Sequence, residues 1–144
     1  MICILPPAWF HEEKISATEH LVTITAPNPH PHGKPVEYGR ANICYIEYFP
    51  LEELCIDDPD GDGYIEAYYV ASLDIWHPYQ RRGYGSALIR HIERRFGHIL
   101  PVAAISTDKS DPFWRATGWR RSIDASSRNN VYSHHTELIA LQRP

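Results

Sequence analysis

Gln80-Arg81-Arg82-Gly83-Tyr84-Gly85 decides the reading of this chain, through what flanks it. An apolar, aromatic run precedes it over residues 64–76, and an amphipathic segment follows over residues 86–96. Strand, glycine-rich loop and helix in that order build a cradle for phosphate. The glycines remove Cβ atoms that would block close approach, and they open backbone angles that other residues avoid. The N–H groups of the helix's first turn then point at the anion, with the helix dipole behind them. Arg81 and Arg82 add positive charge at the same spot.

Working outward, residues 86–95 read as a helix. Leu88, Ile89, Ile92 and Phe96 share one face, while Arg90, Arg94 and Arg95 lie elsewhere. Gly97 fits a C-terminal cap. Residues 100–105 are apolar and read as a buried strand. Two strands joined by a helix of this length imply a right-handed crossover and parallel pairing. Asp111 then caps a short helix with Pro112 in its first turn, and Gly118 stops it. Residues 130–141 read as a last strand. Upstream, residues 21–25 and 41–49 read as strands, and residues 64–75 as a long strand with room for a bulge. Residues 27–35 hold four prolines and form a loop, and residues 57–63 form a turn. No internal repeat is visible. The order is strands first, then β-α-β-α-β, with the glycine loop at the carboxyl end of a central strand, where ligands of such sheets bind.

A length of 144 residues suits one domain, spanning 1–144. A hydrophobic content of 43% fits a soluble globular protein, and no apolar run approaches a membrane span. Residues 1–7 are apolar but too short and uncharged for a secretory signal, so a cytoplasmic location is expected. Cys3, Cys44 and Cys55 are odd in number and show no paired spacing, which argues against a disulfide framework or a cysteine zinc site. The net charge of −4 hides a division. Residues 1–80 hold 3 Lys/Arg and 13 Asp/Glu, while residues 81–144 hold 11 and 5. Either the halves favour opposite partners, or an uneven surface charge folds back beside itself.

The glycine stretch, following Leu73-Asp74-Ile75-Trp76-His77-Pro78, resembles the acetyl-CoA signature of the GNAT acetyltransferase superfamily, Q/R-x-x-G-x-G/A. Downstream, Phe113-Trp114-Arg115-Ala116-Thr117-Gly118-Trp119 resembles the aromatic segment that closes the family's fourth helix. The resemblance covers residues 64–119. It implies an α/β (α+β) fold with a mixed, mostly antiparallel sheet, a splayed parallel strand pair and few flanking helices. It further implies an acetyl-CoA-dependent N-acetyltransferase that passes an acetyl group directly to an amine. By the same resemblance, backbone groups around Arg82, Gly83, Gly85 and Ser86 hold the pyrophosphate, with Gln80, Arg81 and Tyr84 in the same loop. Leu73, Asp74 and Ile75 lie along the pantetheine arm, and Trp114 closes the site. Positioning supplies most of the catalysis.

Two departures from the family pattern matter. Members often carry a Tyr, as the acid for the leaving thiolate, where this chain has Trp114, and indole gives up no proton at useful pH. Ser110, Tyr132 and His134 are the substitutes nearby, and Tyr132 is taken as the candidate. The family also walls its acceptor site with two N-terminal helices, and no amphipathic helix pair precedes residue 41. The loop at 27–35 is expected in their place. For the general base, Glu66 and Asp74 are the carboxylates on the long strand. Glu66, between aromatic neighbours that raise a carboxyl pKa, is the choice.

Other features have competing readings. Asp58, Asp60, Asp62 and Gly63 begin like a calcium loop, but position twelve is Tyr69 where a bidentate Glu is needed. An acidic turn is the simpler reading, and a calcium module is the minor alternative. His30 and His32, and His134 with His135, lack the spacing of a zinc site, so no metal is expected. Arg120, Arg121 and Arg128 hint at nucleic acid, but overall acidity argues against it. The expected partner is a small-molecule or peptide amine, preferably cationic, with neither nucleic acid nor membrane, on a monomer or homodimer. The second functional reading is a coenzyme-binding regulatory module that has lost its chemistry.

Overall fold

The protein is described here by a computed structural model over residues 9–26, 33–54, 63–123 and 129–135. The N-terminal segment holding Cys3, most of the proline loop with His30 and His32, Cys55 with the acidic turn at Asp58–Asp62, Arg128 and residues 136–144 lie outside this range.

Seven strands form one sheet. They are β1 (Trp9–Lys14), β2 (Glu19–Ala26), β3 (Val36–Pro50), β4 (Tyr64–Ile75), β5 (Val102–Ile105), β6 (Arg120–Ile123) and β7 (Asn130–His134), in the order β1-β2-β3-β4-β5-β7-β6. The helices are α1 (Tyr84–Arg95) and α2 (Asp111–Ala116), with single 3₁₀ turns at Leu51–Leu54 and His77–Tyr79. Every neighbouring pair is antiparallel except β4 with β5. This is the expected mixed sheet, with the parallel crossover carried by α1.

Helix α1 docks through the predicted stripe. Leu88, Ile89 and Ile92 are fully buried and Phe96 nearly so. Each such side chain contributes about 1.5–3 kcal/mol of burial. The stripe meets Val22, Ile24, Ala41, Ile43 and Val70 from the sheet, and Trp114 and Trp119 from the α2 region. A second core on the opposite face joins Leu51 and Leu54 to Phe49, Ala67, Ala103 and Val131.

Several local expectations are corrected. Among the described residues, a strand that the sequence did not announce precedes the expected one: β1 pairs along β2 as a hairpin from Trp9↔Thr25 to Lys14↔His20. The hairpin is fastened to α1. Phe10 stacks on His91 at 4.1 Å, and Glu12 accepts from Arg95 Nε at 2.7 Å and Nη2 at 2.8 Å. Arg95 holds the Glu12 carboxyl below its usual range, while burial pushes His91 down. Gly97 follows the helix end but lacks a left-handed φ. It is small for another reason: a Cβ there would lie 2.8 Å from the His134 ring and 2.7 Å from the Glu93 carbonyl. Asp111 does not cap α2, since Ser110 holds that position and Asp111 is the first helical residue. The last strand ends at His134 within the described range, and β6 is an element that four polar-rich residues did not announce.

Candidate functional site

Strands β4 and β5 are joined by two residue pairs, Tyr68↔Val102 and Tyr69↔Ala103, with Tyr68 N–H donating to the Pro101 carbonyl at 2.8 Å. Beyond that seam they part. β4 runs on to Ile75 beside β3 alone. Its register with β3 steps from Ile43↔Val70 to Asn42↔Ser72, so Ala71 is an extra residue in a bulge. Val70 to Ile75 thus present one edge that no strand among the described residues covers, a row of amide and carbonyl groups able to receive an extended chain. A cleft of about 730 Å³ fills the gap.

The near wall of the cleft is that edge together with the glycine loop. Gln80 Nε2 donates to the Ile75 carbonyl at 2.9 Å and ties the loop to the strand end. Arg81 (φ 63°) and Gly83 (φ 89°) both adopt left-handed backbone, and for Arg81 that carries strain of the kind found at ligand sites. Gly83 precedes α1 with no side-chain cap, and the first helical bond runs from Ala87 N–H to the Gly83 carbonyl at 3.0 Å. The N–H groups of Tyr84, Gly85 and Ser86 have no carbonyl within the helix to receive them. Tyr84 turns inward, only 2% exposed, and packs against Tyr38, which anchors the helix end. Gly39 backs this wall: a Cβ there would lie 2.4 Å from the Asp74 carbonyl.

The far wall is the segment between β5 and α2. Ile105, Thr107, Lys109, Ser110, Phe113 and Trp114 line it. Thr107 and Ser110 lock the turn through each other: Ser110 Oγ accepts from Thr107 N–H at 2.9 Å, and Asp111 N–H donates to the Thr107 carbonyl at 2.9 Å. Asp111 supports it from behind. Its Oδ1 accepts from Asn130 Nδ2 at 2.8 Å, Ser106 Oγ at 2.9 Å and Tyr132 OH at 2.9 Å, and its Oδ2 pairs with Arg115 at 2.8 Å. The amide of Asn130 leads the donors that hold this carboxyl down at about 2. The two sequence motifs meet across the cleft, because a Cβ on Gly85 would lie 2.9 Å from Phe113 Cε1.

The cleft brings together Leu73, Asp74, Ile75, Gln80, Arg81, Gly83, Gly85, Ser86 and Trp114. Arg82 and Tyr84 belong to the loop without lining the cleft. Two expectations are corrected. Glu66 is exposed, four residues before the lining begins at Val70, about 13 Å along a strand. Its carboxylate accepts from Tyr45 OH at 2.6 Å, which pushes that phenol up to about 12. Tyr132 is 1% exposed, behind the wall, stacked on Trp114 with its hydroxyl committed to Asp111. Burial pushes its pKa up. The strand pattern could not show either displacement, because each follows from where the bulge and the β5–α2 turn fall. Lys109, Thr107 and Ser72 carried no motif and enter the site only through the fold. His134 faces Trp119, and His135 Nε2 meets the Leu54 carbonyl at 2.9 Å, so both have structural partners. Among the described residues no group of three His, Cys, Asp or Glu side chains could hold a metal ion, and no helix is long and apolar enough to cross a membrane.

No family model matches the sequence, and no curated protein matches it. Solved structures do. The Bacillus subtilis N-acetyltransferase YlbP in complex with coenzyme A aligns at a TM-score of 0.56 and 17% identity, over 81% of this chain and 68% of that one. AtaT complexed with acetyl-methionyl-tRNAfMet aligns at 0.61 and 13%, over 86% and 75%. The KacTA–DNA complex aligns at 0.57 and 14%, over 88% and 73%. The chain has the fold of the GNAT N-acetyltransferases. Structures of this fold hold coenzyme A in YlbP and nucleic acid in the AtaT and KacTA complexes. The expectation that nucleic acid is excluded is therefore withdrawn. It rested on net charge, which sums over the whole chain and says nothing of one face, and here Arg81 and Lys109 line the cleft.

Proposed function

We propose that this protein is an acetyl-CoA-dependent N-acetyltransferase that transfers the acyl group directly to an amine. The observation that carries the reading is the parting of β4 and β5 directly above a glycine loop at an uncapped helix start. The fit of the coenzyme is supported by the start of α1, where the N–H groups of Tyr84, Gly85 and Ser86 have neither a helical carbonyl nor a side-chain cap. When bound, acetyl-CoA supplies the activated thioester.

The roles proposed for the chain's own residues follow from their chemistry. The N–H groups of Tyr84, Gly85 and Ser86 receive the pyrophosphate at the positive end of α1. The open edge from Val70 to Ile75 orients the extended arm as an added strand would, and an N–H near the seam polarises the acyl oxygen. Neither strand carboxylate stands at the seam where the acyl tip ends, since Asp74 lies five residues from Tyr69 at the loop end, about 16 Å along the strand, so the acceptor's proton leaves through water. Trp114 has no proton for the departing thiolate, and the Tyr132 hydroxyl is buried and donates its hydrogen bond to Asp111, so that proton comes from solvent.

The same two residues keep a second reading in play, a module that binds the coenzyme without turnover. Thermal unfolding with acetyl-CoA separates both readings from an unrelated function, because a ligand of the native state raises the midpoint. Thiol release over a panel of free amines, peptides and aminoacyl-tRNA separates the two. Release with any acceptor supports the enzyme. A thermal shift with no release across the panel supports the silent module, and no shift overturns both.

A further inference from the structure

Two cations line the cleft, Arg81 on the loop and Lys109 on the turn opposite, and neither forms an ion pair within the described residues. Their surroundings differ. Arg81 stands beside three free N–H groups of α1, a setting that surrounds a diphosphate closely. Lys109 has no such neighbours among the described residues. The hydroxyls of Thr107 and Ser110 on either side are occupied with each other and with the turn's backbone, so they donate nothing outward. Asp108 beside it does not line the cleft, and the lining carboxylate, Asp74, belongs to the opposite wall.

A lone ammonium on a flexible stem is a point charge, suited to a terminal phosphate that needs neutralising more than enclosing. Coenzyme A carries such a group on its ribose: a 3′-phosphomonoester, separate from the diphosphate. We propose that Lys109 recognises this 3′-phosphate and so makes the cleft selective for coenzyme A over its dephosphorylated form. The inference rests on the coenzyme reading above. The turn that presents Lys109 is braced by Asp111 from behind, so the charge is delivered from a fixed point of the backbone. Recognition is then divided: the loop reads the diphosphate, and the opposite turn reads the 3′-phosphate.

The test is calorimetric titration of the full chain with coenzyme A and with 3′-dephospho-coenzyme A, for the wild type, Lys109→Ala and Lys109→Arg. The expected wild-type preference for coenzyme A is about tenfold, the low end for a charge-assisted bond at an exposed site. Lys109→Ala should bind the two forms equally, at the affinity the wild type shows for the dephosphorylated one, and this second ligand reports that the variant is folded. Lys109→Arg should restore the preference. If Lys109→Ala keeps the wild-type preference, or the wild type has none, the assignment of Lys109 is overturned while the coenzyme reading stands. If the wild type binds neither form, both are overturned.

Discussion

One wall of the cleft is made of backbone and the other of side chains. The β4 edge and the glycine loop offer amides and carbonyls, and their side chains matter chiefly by being small or by turning away. The turn from Thr107 to Trp114 offers an ammonium and two aromatic rings, braced from behind by one carboxylate. Backbone reads what every ligand of a class shares, and tolerates any substitution that keeps its shape. A side-chain wall can discriminate, and it depends on support from behind.

The comparison can be broken most sharply at Gly85. Gly85→Trp should abolish measurable acetyl-CoA binding, and crowding against Phe113 should also cost about 1–3 kcal/mol of stability. Calorimetry together with thermal unfolding checks both, and unchanged affinity would contradict the phosphate loop. Asp74→Asn should leave kcat within about twofold, as suits a carboxylate at the loop end of the strand, about 16 Å from the seam, and thiol release checks it. Glu66→Gln, made in parallel, should leave kcat within about twofold, as suits a carboxylate outside the cleft. A loss of about a hundredfold at either position would make that carboxylate the base.

Asp111→Asn probes the far wall alone, and should weaken coenzyme binding a few-fold while leaving the loop intact. It also has a pH signature. The Asp111 carboxyl is held at about 2, so its charged form is favoured in the folded protein. That contribution is fully present above the ordinary carboxylate range, near pH 4, and is lost as pH falls through about 2. Acid unfolding followed by circular dichroism should therefore be steeper between pH 4 and 2 for wild type than for the variant. Equal slopes would remove Asp111 as the support. The smallest effect is expected from Glu12→Gln, which touches neither wall. It frees the β1 hairpin from Arg95, and because the Arg95 side chain is 55% exposed the cost should be about 0.5–1 kcal/mol, with coenzyme affinity unchanged.

The backbone wall was legible before the structure because its signals are local. A helical stripe, a run of β-branched and aromatic residues and two glycines each report on their own few positions. The side-chain wall was not, since its parts come from β5, α2 and β7 and become one site only when Asn130 and Tyr132 reach Asp111. Asp111 looks like a helix cap in sequence for the same reason that it serves as a hub, as a short acceptor beside a proline. Strand β1 has little apolar alternation of its own and is held by β2, Phe10 and Glu12. Strand β6, four residues rich in Arg, pairs along β7 from Arg120↔Ser133 to Ile123↔Asn130, a neighbour that no periodicity announces. Glu66 was misjudged because counting along a strand cannot show where the strand next to it leaves.

Behind β4, Gly39 lies so near the main chain of Asp74 and Ile75 that even a methyl group would collide. In front, the strand is free for the six residues from Val70 to Ile75, about 20 Å at roughly 3.3 Å per residue. The slot is shut along one flank, anchored at the bottom by the loop and stopped at the top by Tyr69 and Ala103. Such a channel works as a ruler. An arm that spans it brings its tip to the stop, while a shorter one leaves the tip stranded along the strand and a longer one has to buckle.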